Sequence, residues 1–364
     1  MARKKKKPDK ILLYAFGALI FIGIVALISA SAQQSNKDFG NIYEYFVHQF
    51  LYGFIIGGIA AFIMYKLPYK KLKKLAPIIF AISLGLMLLV FVPGLALETG
   101  GAQRWINLRF ATFQPSELVK LAFVIYLAAW LSNKMKEMKK GKEFFPFMVL
   151  LSILILLLMA QPDFSTTGII AITAGAMYFA AGARLKYIGG IMGAGIAAFY
   201  IFVKTSPYRM SRVLTFLNPE SDPFGMGYQI NQLMIAVGSG KLFGLGPLQG
   251  IQKNLLPLAM NDSIYAVWAE ELGFIGASLL VLIFLIIVWR GFKIAELAGN
   301  DFARLTALGI TVWLFIQAIV NMGAILGILP LTGVTLPLIS YGSSSMIVTL
   351  MAAGLLLQLS KEIS

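Results

Sequence analysis

The segment Leu256-Pro-Leu-Ala-Met-Asn-Asp262-Ser-Ile-Tyr-Ala-Val-Trp-Ala-Glu270-Glu271-Leu-Gly-Phe-Ile-Gly276 passes from polar to apolar sequence without a break. It closes the longest polar stretch of the chain, about Thr205 to Ser263, and runs into an apolar block that ends near Arg290. That block is long enough to cross a bilayer, which makes Asp262 an ionisable residue at the lip of a membrane helix. Such a group is expensive, and it marks a pathway or a reaction centre.

The rest of the composition agrees with a membrane chain. Of 364 residues 59% are hydrophobic and 13% charged, and the mean hydropathy is +0.80. Soluble chains run about 45–50% apolar. With no Cys, disulfide frameworks, thiolate nucleophiles and Cys-ligated metals are excluded. A single His, His48, leaves no His-rich metal site. Chemistry falls to Asp, Glu, Lys, Arg, Ser, Thr and Tyr. The net charge of +15 is a matter of topology before ligand: Lys and Arg gather in the N-terminal tail, from Lys66 to Lys74 and from Lys134 to Lys142, where the positive-inside rule wants them. No nucleic-acid partner is implied.

Working outward from Asp262, the apolar blocks predict an all-α integral membrane protein of about ten spans in one polytopic domain over residues 1–364. A basic cytoplasmic tail, 1–10, precedes a first span at Ile11–Ala30. That run exceeds the roughly 7–15 residues of a signal-peptide core and is expected to be a retained helix. Further spans are expected near Val47–Tyr65, Ala76–Leu95, Gln114–Asn133, Phe147–Ala160, Gly168–Ala183 and Ile188–Val203. A large outer loop, 205–263, separates span seven from span eight. Spans near Ser263–Arg290, Leu305–Leu329 and Tyr341–Leu359 complete the chain. Residues 98–113 are expected to be a polar outer loop, and Gln229–Val237 a short helix lying on the surface. Ten spans put both termini in the cytoplasm and place Asp163, the large loop and Asp262 on the outer face.

Three constellations carry chemistry, each with a structural alternative. Asp262 is placed to act as a functional carboxylate or as the N-cap of the eighth helix. Arg104-Trp-Ile-Asn-Leu-Arg109, followed by Gln114-Pro-Ser-Glu117 and Lys120, is either a cationic pocket for pyrophosphate or a structural ion-pair system. Lys120 lies a turn into a span and needs a carboxylate: Glu117 is its i,i+3 neighbour, and Asp163 is the nearest candidate from another span. The Gly-, Pro- and Ser-rich run from Asn321 to Ser345 suits either close helix packing or a groove lined by broken backbone. Gly238-Ser-Gly240 and Gly244-Leu-Gly246 lack the strand context of a dinucleotide fingerprint.

At these residues the chain resembles the SEDS family, the FtsW, RodA and SpoVE type of cell-wall polymerase. The resemblance rests on Arg104-Trp-Ile-Asn, Phe113-Gln-Pro-Ser-Glu-Leu-Val-Lys120, Gln161-Pro-Asp163, Asn218-Pro-Glu, Gly227-Tyr-Gln-Ile, Asp262 with Glu270-Glu271-Leu-Gly-Phe-Ile-Gly276, and Leu329-Pro-Leu-Thr-Gly to Ser340-Tyr-Gly342. The Asn218 and Gly227 motifs lean toward the division, FtsW-like branch. Leu258 and Met260 stand where the family usually has Glu and His, and Ser343 where it has a second Gly.

The resemblance implies a peptidoglycan glycosyltransferase at the outer face of the bacterial cell membrane, polymerising lipid II into β-1,4-linked glycan with inversion. Asp262 is the implied general base; Arg104, Arg109, Lys120, Asp163, Arg209, Arg212, Gln229, Ser340 and Ser343 are the implied substrate-binding residues. Charge on the leaving pyrophosphate would be met by the basic residues or by a divalent cation such as Mg2+ or Mn2+. Lipid II, the nascent glycan, membrane lipids and a class B penicillin-binding protein are the implied partners. A transporter of lipid-linked precursors and a non-catalytic scaffold for a transpeptidase remain as alternatives.

Overall fold

A computed structural model describes residues 7–99, 102–107, 111–138, 141–204, 207–256 and 258–361. The apolar runs form long helices: α1 (Lys10–Phe39), α2 (Glu44–His48) continued through a π-helical turn (Gln49–Ile55) into α3 (Ile56–Lys66), and α4 (Tyr69–Leu89). After a small sheet come α5 (Pro115–Met138), α6 (Phe144–Ala160), α7 (Phe164–Ala180) and α8 (Leu185–Lys204). The large loop holds α9 (Pro207–Leu217) and α10 (Met226–Ser239); α11 (Ile264–Leu297), α12 (Asp301–Ile325) and α13 (Ser343–Ser360) follow. Among the described residues seven helical runs are long and apolar enough to cross a membrane: α1, α2–α3, α4, α5, α11, α12 and α13. α6 and α7 are apolar helices of 17 residues each.

Two expectations are corrected here. The stretch read as an outer loop contains an antiparallel sheet of β1 (Ala96–Thr99), β2 (Ala102–Asn107) and β3 (Thr112–Phe113), with Leu97 opposite Trp105 and Ile106 opposite Phe113. Trp105 and Ile106 have the side chains that favour a pleated, half-buried surface, and Ile106 is buried. The helix of the expected eighth span runs on to Leu297, so Arg290 lies within it, where it pairs with Asp9 and ties the C-terminal part of α11 to the start of α1. Asp9 also donates its backbone N–H to Ser360 of α13 at 2.9 Å.

α5, α12 and α13 form the centre. The apolar window of α13 is 78% buried, against 17% for the α2–α3 run, which faces outward. α13 and α3 nevertheless meet closely, through small residues. A Cβ at Gly57 would lie 2.6 Å from Leu350 Cδ1, and one at Gly354 would overlap the Ala61 carbonyl oxygen. Lipid is as apolar as Leu, so such helices associate by close van der Waals contact, which small residues permit.

Two breaks in regular structure govern the half of the molecule that holds Asp262. The 326–342 segment between α12 and α13 contains no helix, as its Gly and Pro content suggests. α11 unwinds at Gly273 (φ 66°, ψ −165°). There the segment after α10 docks against it: Leu245 and Gly246 N–H donate to the Glu270 and Glu271 carbonyls (3.0 Å each), and the Lys241 and Leu242 carbonyls accept from Phe274 and Ile275 N–H (2.8 and 3.2 Å). Gly244, at φ +82°, is where a Cβ would overlap the Glu271 carbonyl. Gly240, where a Cβ would overlap the Ala269 carbonyl, and Gly244 thus serve this close approach, one from each glycine pair.

The α3–α13 contact is testable. Gly354→Val is expected to cost about 1–3 kcal/mol by overpacking and to lower the thermal midpoint of the purified protein in detergent. An unchanged midpoint would contradict the contact.

Candidate active site

Asp262 lies in the turn that leads into α11. The cap of that helix is Ser263, which makes no side-chain capping bond, so the capping reading of Asp262 is not realised. Its neighbours are fixed through the backbone instead. The Met260 carbonyl accepts from Tyr341 N–H at 2.9 Å, and the Asp262 carbonyl accepts from Asn321 Nδ2 at 2.7 Å. The same amide donates to the Val334 carbonyl at 2.7 Å. One side chain of α12 therefore holds both walls of a cleft lined by Asp262, Ser263, Asn321, Ala324, Ile325 and the 331–334 strand of broken backbone. Gly333 keeps the wall facing the carboxylate bare, since a Cβ there would lie 3.8 Å from Asp262 Oδ2.

Burial pushes the Asp262 carboxyl above the ordinary carboxylate value; hydrogen bonds from backbone and from Ser263, and the charge of Arg212, pull the other way. A carboxylate with raised proton affinity, still reachable from the cleft, is suited to taking a proton from a hydroxyl.

Lys120 is 2% exposed. Its Nζ lies 2.8 Å from Glu117 Oε1 and 2.8 Å from Gln317 Oε1, and 5.4 Å from the centre of the Trp313 ring. The inter-span partner expected in Asp163 is thus replaced by Glu117 on the same helix. A flexible Lys satisfies an i,i+3 carboxylate at no cost in helix geometry. Gln317 passes the network on, donating to the Thr335 carbonyl at 2.9 Å. Gln317 and Asn321 are one helical turn apart on α12, and together they grip the broken segment at Thr335 and Val334. Neither was singled out from sequence as a site residue; two amides at i,i+4 in an apolar helix are the signal that would have found them.

Asp163 caps α7, accepting from Thr166 N–H at 3.2 Å. Arg104 reaches across from β2 to the Gln161 and Pro162 carbonyls (3.0 and 2.6 Å), and Ser165 Oγ donates to the Thr332 carbonyl at 2.8 Å. Arg104 and Asp163 so stand behind the cleft wall at Thr332. Arg212, on α9, acts on Asp262 through its charge, and Gln229 lies half-buried in the first turn of α10. Ser340 is buried and accepts from Leu336 N–H at 2.8 Å. Ser343 faces Gln49 of the π-helical turn, 3.4 Å away. The structure does not bring these two serines into the Asp262 cleft. Arg109 and the side chain of Arg209 lie outside the described residues. Among the described residues no group of three or more His, Asp or Glu side chains is placed to hold a metal ion.

A profile of the cell cycle protein family FtsW, RodA and SpoVE matches residues 9–364. The chain belongs to this family. The SEDS resemblance noted in the motifs is thereby established, and with it a multi-pass helical membrane protein. Stage V sporulation protein E of Bacillus subtilis (strain 168) is 37% identical over 363 residues, 99% of each chain. A probable peptidoglycan glycosyltransferase FtsW of Geobacter metallireducens is 40% identical over 357 residues, covering 98% of this chain and 95% of its own. Among solved SEDS structures, the rod shape determining protein RodA of Thermus thermophilus matches with a TM-score of 0.73 at 27% identity, over 98% of this chain and 97% of that one. A chain from a peptidoglycan synthase complex that coordinates polymerization and crosslinking matches with a TM-score of 0.81 at 28% identity, over 97% of each.

The Lys120 node has a measurable consequence. Lys120→Met leaves Glu117 as a buried, uncompensated carboxylate and is expected to destabilise the protein by about 3–5 kcal/mol. Adding Glu117→Gln removes that charge and should recover most of the loss. Thermal unfolding of the two purified variants checks this, and a single variant as stable as the parent contradicts it.

Proposed function

We propose that the chain is an inverting peptidoglycan glycosyltransferase that polymerises lipid II at the outer face of the bacterial cell membrane. The observation that carries the proposal is Asp262: a carboxylate of raised proton affinity in a cleft, its backbone clamped by Asn321, in a chain whose FtsW relatives are named for this activity. The accompanying topology is ten spans, with α8 as the seventh, both termini in the cytoplasm and the loop holding α9 and α10 outside.

Asp262 takes the proton of the acceptor sugar's 4-hydroxyl as that oxygen attacks the anomeric carbon of the donor's MurNAc. The new C–O bond forms on one face while the bond to pyrophosphate breaks on the other, its electron pair leaving with undecaprenyl pyrophosphate. A good leaving group needs charge stabilisation more than protonation. Arg212, whose charge acts on Asp262, is proposed for this, with Arg109 and Arg209 as companions and Gln229 as a contact for the sugars. Lys120, Arg104 and Asp163 are already engaged with protein groups and support the walls. A divalent cation such as Mg2+ or Mn2+, held largely by the pyrophosphate oxygens, would supply further charge stabilisation there. The match to a chain from a synthase complex supports a class B penicillin-binding protein as partner.

Two measurements test the reading. Asp262→Asn is expected to reduce polymerisation of purified lipid II by roughly 10²–10⁴-fold; a parental rate removes Asp262 from the base role. The base must be deprotonated to act, so the acidic limb of the pH–rate profile should lie above the ordinary carboxylate value of 3.8. Arg212→Ala removes a charge that favours the carboxylate, and the limb should move to higher pH. Movement to lower pH would contradict the arrangement.

A further inference from the structure

Asn321 is 2% exposed and lines the Asp262 cleft. Its Nδ2 donates to two carbonyl oxygens, those of Asp262 and Val334, at 2.7 Å each. Carbonyls accept and never donate, so these two partners fix which end of the amide is nitrogen. Oδ1 is therefore a pure acceptor, buried and, among the described residues, without a hydrogen-bond partner. Leaving such an oxygen unpaired costs about 1–3 kcal/mol. Natural proteins keep a buried unpaired group of this kind where something else supplies the partner. An acceptor takes an O–H or N–H donor and repels phosphate oxygens, so its complement is a sugar hydroxyl or an amide N–H, and not the pyrophosphate.

We infer that Asn321 is a second substrate contact of the cleft: Oδ1 accepts a hydrogen bond from a hydroxyl or acetamido N–H of the acceptor sugar, while Nδ2 holds Asp262 in place to receive the proton of the attacking hydroxyl. This rests on the reading of Asp262 as the base. Two groups of one sugar are then read by two neighbouring side chains, the carboxylate and the amide oxygen. The attacking hydroxyl is singled out because the other donor of the sugar is already engaged. A pocket built to hydrogen-bond a donor discriminates strongly against an analogue that lacks it, since its own polar group is then left unpaired. Asn321 contributes in two separable ways, by orientation of the base and by binding.

The experiment uses the full chain in lipid nanodiscs with purified lipid II. Binding is measured on the Asp262→Asn background, where chemistry is silenced. Asn321→Leu, which keeps the branched shape of the side chain and removes both functions, is expected to weaken lipid II binding about tenfold, the effect of about 1.4 kcal/mol. Asn321→Asp keeps an oxygen at the Oδ1 position and is expected to bind within about threefold of the parent, the loss of a neutral hydrogen bond being avoided. In the active background both variants should lower kcat, since each loses the amide that clamps Asp262. If the leucine variant does not fold, Asn321→Ala carries the same expectation. Equal lipid II affinity for the parent and the leucine or alanine variant overturns the inference and leaves the base reading standing. An Asp262→Asn protein that polymerises normally overturns both.

Discussion

Backbone that leaves the helix at membrane depth must find every hydrogen bond inside the protein, because lipid offers none. The segment between α12 and α13 meets that demand with side chains. Asn321 takes the Val334 carbonyl, Gln317 the Thr335 carbonyl, Ser165 the Thr332 carbonyl, and Ser340 the Leu336 N–H. Gly342 N–H reaches Gln49 at 3.2 Å. Three helical runs, α12, α7 and the π-helical turn before α3, thus converge on one irregular segment, and the wall opposite Asp262 exists because they do. The buried Lys120 belongs to the same economy: it occupies the Gln317 oxygen while the Gln317 nitrogen holds the strand.

Much of this was legible in the sequence. The apolar runs located the long helices, Pro115 and Glu117 marked the start of α5, and the mixed polar pattern after Gln229 gave α10. The Gly-Pro-Ser run offered two readings, of which the broken-backbone one is realised there. Broken backbone forms the cleft wall, while the small-residue packing lies on Gly57 and Gly354, outside that run.

What escaped was long-range pairing. Spacing shows that Lys120 needs a carboxylate, but not which rotamer it adopts, and the i,i+3 partner sufficed. Asp163 had its own local task at the α7 cap. The sheet around Trp105 hid because its strands are two to six residues long, too short for alternation to stand out from a polar loop. In the sequence Glu270 and Glu271 stand only as part of the motif that carries the resemblance. Their side chains in fact take the backbone N–H groups of Ile251, Gln252 and Gly250 and the ammonium of Lys253, which also donates to Ser29 of α1. No periodicity announces such an arrangement, because its partners lie 18 to 21 residues apart, and Ser29 lies 224 from Lys253.

The docking of 241–246 on the unwound turn of α11 has a further bearing. Phe274 and Ile275 owe their amide protection to carbonyls of the outer segment, and Leu245 and Gly246 owe theirs to the helix. Neither strip can open without stripping the other of its partners. In hydrogen exchange they would form one cooperative unit, with the approach to Asp262 at its end. The long segment between α8 and α11 need not then behave as a floppy appendage: a force or a binding event on it is transmitted to the first turns of α11 as to a single rigid lever.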